Sequence, residues 1–310
     1  MKRLLLLVLA MLLASSVFLH YQKLDVYLWQ HWKLNRQSLP EQAMNLGRYR
    51  ADIQALPLQG VEDDLSALAY NPERNTLFGL INGTPLLLEI SLEGEVLRTV
   101  RIEGVKDMEG LAHIGANRYV IVEERHQRLR IIELPDDVAT LDATDAPRLT
   151  LAIDDKGNKA YEGLSWDTNK QRLLVVRERD PMRLLSIEGF VDGNSASPQI
   201  DINEKSMFEE HRLFLSDLSA VEIDNHSGHL LLLSDESRML VEYSAEGQPL
   251  SVLGLRRGFH GLERTVPQAE GLAIDGQRRI YLVSEPNLFY RFVPIDTPQS
   301  RLTLNAMPTR

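Results

Sequence analysis

Glu109, Glu162 and Glu270 each stand in front of a glycine and a leucine, in MEGLAHI (108–114), YEGLSWD (161–167) and AEGLAID (269–275). A carboxylate can move a proton or ligate a hard cation. One copy of such a motif decides nothing, whereas three in one chain imply a structural period and a shared site. Three carboxylates meeting in a narrow space repel one another, so they must gain protons, spread apart or bind a cation. Calcium suits that role best, because it accepts six to eight oxygen ligands in loose geometry, while magnesium demands a tighter octahedron. Zinc usually takes histidines, and none of the eight histidines falls at the repeated position. The chain has no cysteine, which excludes thiolate metal sites and disulfides.

The elements that would bring these acids together form a repeating unit. The heptads DLSALAY (from 64), DMEGLAH (107), AYEGLSW (160), DLSAVEI (217) and QAEGLAI (268) align, with Ser66, Glu109, Glu162, Ser219 and Glu270 at the third position. Their successive offsets are 43, 53, 57 and 51 residues, which suits a propeller blade with variable loops. After each heptad come a polar turn, an apolar strand such as RYVIVEE or HLLLLSD, and then a third and a fourth strand. This pattern predicts an all-β, five-bladed β-propeller, or six blades if 189–216 hides a degraded unit. The fifth unit lacks a fourth strand, and ADIQALPLQ (51–59) is expected to supply it, with LTLNAM (302–307) as the competitor.

In a propeller the first strand of each blade lines the central channel. Glu109, Glu162 and Glu270 are therefore expected to converge there as calcium ligands. Ser66 and Ser219 occupy the two remaining places. Asp64, Asp107 and Asp217, two residues upstream of the repeated position, would add charge or ligate through water. The same repetition would equally serve glutamates that only accept backbone N–H bonds at the channel mouth. Gly110, Gly163 and Gly271, matched by Ala67 and Ala220, point to a need for small size rather than a left-handed backbone. A second tier of acids, among them Glu123, Glu124, Glu178, Asp235, Glu236 and Glu285, reads as solvated loop ion pairs with neighbouring arginines, or else as a polar ligand face.

Ahead of the repeats, Lys2 and Arg3 precede an apolar run from Leu4 to Leu19. This pattern predicts an uncleaved transmembrane anchor or signal at 1–21. A stalk or short helix is expected at 22–48 and the propeller at 49–310. The expected location is a single-pass inner-membrane protein with its propeller in the periplasm, an exported soluble protein being the alternative. With 44 acidic residues against 34 Lys and Arg, the net charge of −10 argues against a nucleic-acid partner.

The repeated EGL openings, DMEGLAHIGANRYVIVEER and YEGLSWDTNKQRLLVVRER above all, resemble the SdiA-regulated, YjiK-like family of bacterial envelope proteins. The resemblance implies a calcium-binding propeller akin to NHL-repeat proteins, with the motif glutamates falling on Glu109, Glu162 and Glu270. Two functions fit. One is an envelope module that binds calcium and presents a face to a protein, glycan or small molecule. The other is a calcium-dependent hydrolase of a lactone, ester or phosphate ester, in which Glu162 or Asp235 handles a proton. No nucleophile elbow or phosphate-binding glycine loop is present.

Overall fold

A computed structural model describes residues 2–21, 23–151, 161–191, 199–204 and 213–295. After two helices, α1 (Lys2–Tyr21) and α2 (Leu24–Leu34), the chain folds into five antiparallel blades. Blade 1 contains β2 (Leu65–Asn71), β3 (Thr76–Ile81), β4 (Leu86–Ile90) and β5 (Val96–Glu103). Blade 2 contains β6 (Met108–His113), β7 (Arg118–Glu123), β8 (Arg128–Glu133) and the short outer strand β10 (Arg148–Thr150). Between β8 and β10 the chain places β9 (Thr140–Asp142) parallel to β5, so blade 1 gains a fifth strand from its neighbour's loop. Blade 3 is β11 (Tyr161–Asp167), β12 (Arg172–Arg177), β13 (Arg183–Glu188) and β14 (Asp201–Glu204). Blade 4 is β15 (Ala220–Asp224), β16 (His229–Ser234), β17 (Met239–Tyr243) and β18 (Pro249–Gly254).

Blade 5 closes the ring. Its β19 (Gln268–Ile274), β20 (Ile280–Glu285) and β21 (Leu288–Pro294) accept β1 (Tyr49–Pro57) as the outermost strand, from Tyr49 opposite Pro294 to Pro57 opposite Leu288. The orphan strand expected at 51–59 thus joins the two ends of the disc, as a propeller requires to protect its edges. Its competitor at 302–307 lies outside the described residues.

Local chemistry explains the inner hairpins. The residue after the heptad is Asn71, Asp167, Asp224 or Asp275 in four blades, and its side chain accepts backbone N–H groups two to four residues on. These are Asx turns, which reverse the chain without help from tertiary contacts. The middle strands are buried on both faces because each blade is sandwiched between two others; β16, HLLLLS, is buried throughout.

Among the described residues, no helix is long and apolar enough to cross a membrane. The anchor expected at 1–21 is corrected accordingly, together with the single-pass inner-membrane topology, the signal-anchor and the membrane as a partner. The apolar run Leu4–Leu19 holds sixteen residues, about 24 Å of helix at 1.5 Å per residue, against a hydrocarbon core of about 30 Å. The second helix has a different task. Tyr27 and Leu34 of α2 are buried in a cluster with Val241, Tyr243 and Val252 of blade 4, and Lys23 pairs with Glu236 at 3.0 Å.

Candidate functional site at the channel mouth

The glutamates reach the channel through a defect repeated in the inner strands. In blade 2 Met108 pairs with Glu123 and Gly110 with Val122, which leaves Glu109 as an extra, unpaired residue. The register breaks at the same place around Ser66, around Glu162 and Gly163, and at Glu270. Each break is a β-bulge, a device that re-aims a side chain and raises local twist. The bulge turns the third heptad position into the channel at its mouth.

There the three acids feel one another's charge. Burial pushes Glu109 up to about 9, and repulsion from Glu124, Glu270, Glu285 and Asp107 adds to it. Glu162 is also pushed up to about 9, by burial first and then by Glu270 and Glu109. Glu270 rises to about 8, mainly by burial, against a hydrogen bond from Gln268 that favours its charged form. Asn82 donates its amide to Glu109 Oε1. No arginine or lysine among the described residues pairs with any of the three. They form a ring of uncompensated carboxyls.

Directly beneath lies a waist. It is lined by Gly110, Gly163, Gly271, Ala67 and Ala220 and encloses about 10 Å³ of open space, room for about one water. None of the three glycines has a left-handed backbone. A Cβ on Gly110 would stand 2.4 Å from the carbonyl oxygen of Glu162, and one on Gly163 would stand 2.7 Å from the amide nitrogen of Val221. Small size is the requirement, because neighbouring inner strands touch at this level.

The supporting residues have structural partners. Ser66 is buried and donates its hydroxyl to the Met108 carbonyl at 2.7 Å, which ties blade 1 to blade 2. The Ser219 hydroxyl accepts the Asp235 N–H at 3.2 Å. Asp217 is 2% exposed; its carboxylate accepts the Ser234 hydroxyl and the Glu236 N–H. Asp64 and Asp107 adopt left-handed backbones, with φ of 61° and 51°, and Asp107 faces the largely exposed Arg125 at 3.5 Å. The second tier divides. Glu123 is no solvated loop acid, being 2% exposed and paired with the equally buried Arg130 at 2.9 Å. Asp235 and Glu285 join the mouth, where burial raises both.

Hard carboxylate oxygens without a cationic partner are the donor set that calcium takes. Even so, no three Asp, Glu or His side chains among the described residues are gathered at metal-ligand spacing. Mutual repulsion accounts for acids that share a mouth yet stand apart.

One buried carboxyl of the channel escaped the sequence reading. Glu222 sits at the sixth heptad position, where the other blades carry Ala69, Ala112, Ser165 and Ala273. It lies on the opposite side of the waist, and burial pushes it up to about 8. Its departure from the aligned repeats was the available signal.

The fold recurs in solved structures. A glutaminyl cyclase of Myxococcus xanthus matches with a TM-score of 0.51 at 14% identity, over 79% of this chain and 95% of that one. A luciferin-regenerating enzyme matches with a TM-score of 0.49 at 11% identity, over 80% and 95% of the two chains. A gluconolactonase of Xanthomonas campestris matches with a TM-score of 0.47 at 14% identity, over 83% and 93%. At 14% identity the match to the cyclase speaks to architecture alone. The sequence profile of the SdiA-regulated proteins matches residues 41–293.

Proposed function

The chain belongs to the SdiA-regulated family, and from that premise we propose that its acidic channel mouth is the active site of a calcium-assisted hydrolase of a lactone, ester or phosphate ester. The observation that carries this reading is the group of Glu109, Glu162 and Glu270 at the mouth, three carboxyls with no lysine or arginine partner among the described residues, pushed up to about 9, 9 and 8. Carboxyls crowded together without a counter-charge gain from a bound dication, which relieves their repulsion. Enzymes are known on propellers of this shape, the Myxococcus glutaminyl cyclase among them, which is support by fold analogy.

In this reading Glu109, Glu162 and Glu270 hold the cation. Calcium, when bound, supplies polarisation of a carbonyl or phosphoryl oxygen. Asp235, raised by burial and not one of the three ligands, takes the proton of the attacking water and returns it to the leaving oxygen. The narrow waist keeps the substrate at the mouth and out of the channel.

The test has two arms. Calorimetric titration with calcium is expected to give one site in the wild type and none in the triple variant E109Q/E162Q/E270Q. A panel of chromogenic esters, lactones and phosphate esters is then assayed with calcium or with chelator. Turnover that needs calcium and disappears in D235N, a variant that still binds calcium, supports the hydrolase. Calcium binding without turnover of any panel member leaves a binding module, and absence of calcium binding removes the metal from the site.

A further inference from the structure

On the far side of the waist the channel opens into a bowl of about 320 Å³, within the size range of small-molecule sites. Its floor and wall follow from the heptads. The sixth position gives Ala69, Ala112, Ser165 and Glu222, and the seventh gives Tyr70, His113, Trp166, Ile223 and Ile274. We propose that this bowl is a second binding site, for a small organic ammonium ion, with Glu222 as its counter-ion.

The charge argument comes first. One oxygen of Glu222 accepts the Ser165 hydroxyl at 2.9 Å. Ser165 in turn accepts the Ile223 N–H at 3.1 Å, which aims its hydroxyl proton at the carboxylate. No lysine or arginine pairs with Glu222 among the described residues. The other two acids of the bowl are neutralised: Asp224 by Arg278 at 2.6 Å, and Asp275 by Arg279 and the Tyr281 hydroxyl. The bowl therefore holds one uncompensated carboxyl, at its floor. Burial raises its proton affinity, with Asp224 adding and the Ser165 hydrogen bond opposing, and a bound cation would relieve that cost.

The wall selects the kind of cation. A metal ion needs several oxygen ligands, and here one carboxyl without a lysine or arginine partner among the described residues shares the bowl with Tyr70, His113 and Trp166. Rings attract ammonium groups through their faces. Tyr70 is held by Asn75 at 2.9 Å, His113 by the Ala116 carbonyl at 2.8 Å, and Trp166 is packed into the core between blades 2 and 3. The site is preformed, so ligand binding does not have to order its wall.

Calorimetric titration of the full chain with benzylamine and with choline tests the proposal, with benzyl alcohol as a probe of similar shape and no charge. The wild type is expected to bind at least one of the two cations and to ignore the alcohol, a contrast that needs no variant. E222Q is expected to lose at least tenfold in affinity, while E109Q/E162Q/E270Q binds the amine as the wild type does. That last arm separates this site from the acidic mouth and its proposed chemistry. Equal binding of benzylamine and benzyl alcohol, unchanged affinity in E222Q, absence of binding by both cations at millimolar concentration, or loss of binding only in the triple variant would each overturn the assignment.

Discussion

The two ends of the channel are built by the same five inner strands, about three residues apart along each strand, and they differ in how charge arrives. At the acidic mouth it arrives by repetition: three blades place a glutamate at a bulge, and none of the three has a lysine or arginine partner among the described residues. At the bowl it arrives by exception. Four blades keep a small residue at the sixth heptad position, and blade 4 alone inserts Glu222. Repetition gives several like charges that a dication or shared protons can satisfy. Exception gives one charge in an apolar, aromatic setting, which a monovalent organic cation can satisfy. Between them lies the narrow waist of Gly110, Gly163 and Gly271.

Widening or wedging that waist should have the largest effect. Gly163→Ala puts a methyl group 2.7 Å from the Val221 nitrogen and 2.8 Å from the Ala220 Cα, and the backbone there has no free rotamer to yield. A loss of about 3 kcal/mol is expected, read from denaturant unfolding. A variant as stable as the wild type would mean that the inner strands do not touch and that the two ends are not separated.

Next is the pH dependence of stability. Carboxyls held above their ordinary value bind protons more tightly in the folded chain than in the unfolded one. Their contribution is fully present below an ordinary value of 4.5 and is lost as pH rises through about 8 to 9. In calcium-free buffer the wild type should therefore lose thermal stability from pH 5 to pH 9. The variant E109Q/E162Q/E270Q should show a flatter profile and exceed the wild type at pH 9 by several degrees. Parallel profiles would show that the three acids do not share one desolvated mouth.

Glu222→Gln should act in the same direction but less, because one raised carboxyl is removed instead of three, and its window ends near pH 8. Calcium affinity should stay unchanged in this variant. A large fall in calcium affinity would couple the two ends and refute their independence. The smallest effect is expected from Arg125→Ala: this side chain is 75% exposed and 3.5 Å from Asp107, and solvent-screened pairs of that kind contribute little. Its melting temperature should match the wild type, and a clear loss would mean that Asp107 needs Arg125 to hold the mouth together.

Much of the plan was legible in residue order. The spacing of DLSALAY, DMEGLAH, AYEGLSW, DLSAVEI and QAEGLAI set the five blades, and ADIQALPLQ was readable as the closing strand because the fifth unit lacked one. The Asx turns after the heptads were written as Asn and Asp at fixed offsets. Ser66, Ser219 and Asp217 read as ligand candidates from position alone, yet their hydrogen bonds go to Met108, Asp235 and Glu236. Glu123 read as a surface acid because Arg130, seven residues away, gives no sign in sequence that both will be buried. The anchor expected from Leu4–Leu19 rested on apolar character without the length that a span requires.

The sequence by itself determined the period, the strand content and the small residues at the waist, since each is a local property of side-chain size, polarity and spacing. Only the tertiary structure decided which way the repeated glutamates point, because a bulge is a mismatch between two strands and belongs to neither alone. It also decided that those carboxyls have no lysine or arginine partner among the described residues and that Glu222 shares a bowl with Tyr70, His113 and Trp166. Burial and charge balance depend on residues more than a hundred positions apart, and proximity across a closed ring is not encoded in any single stretch of chain.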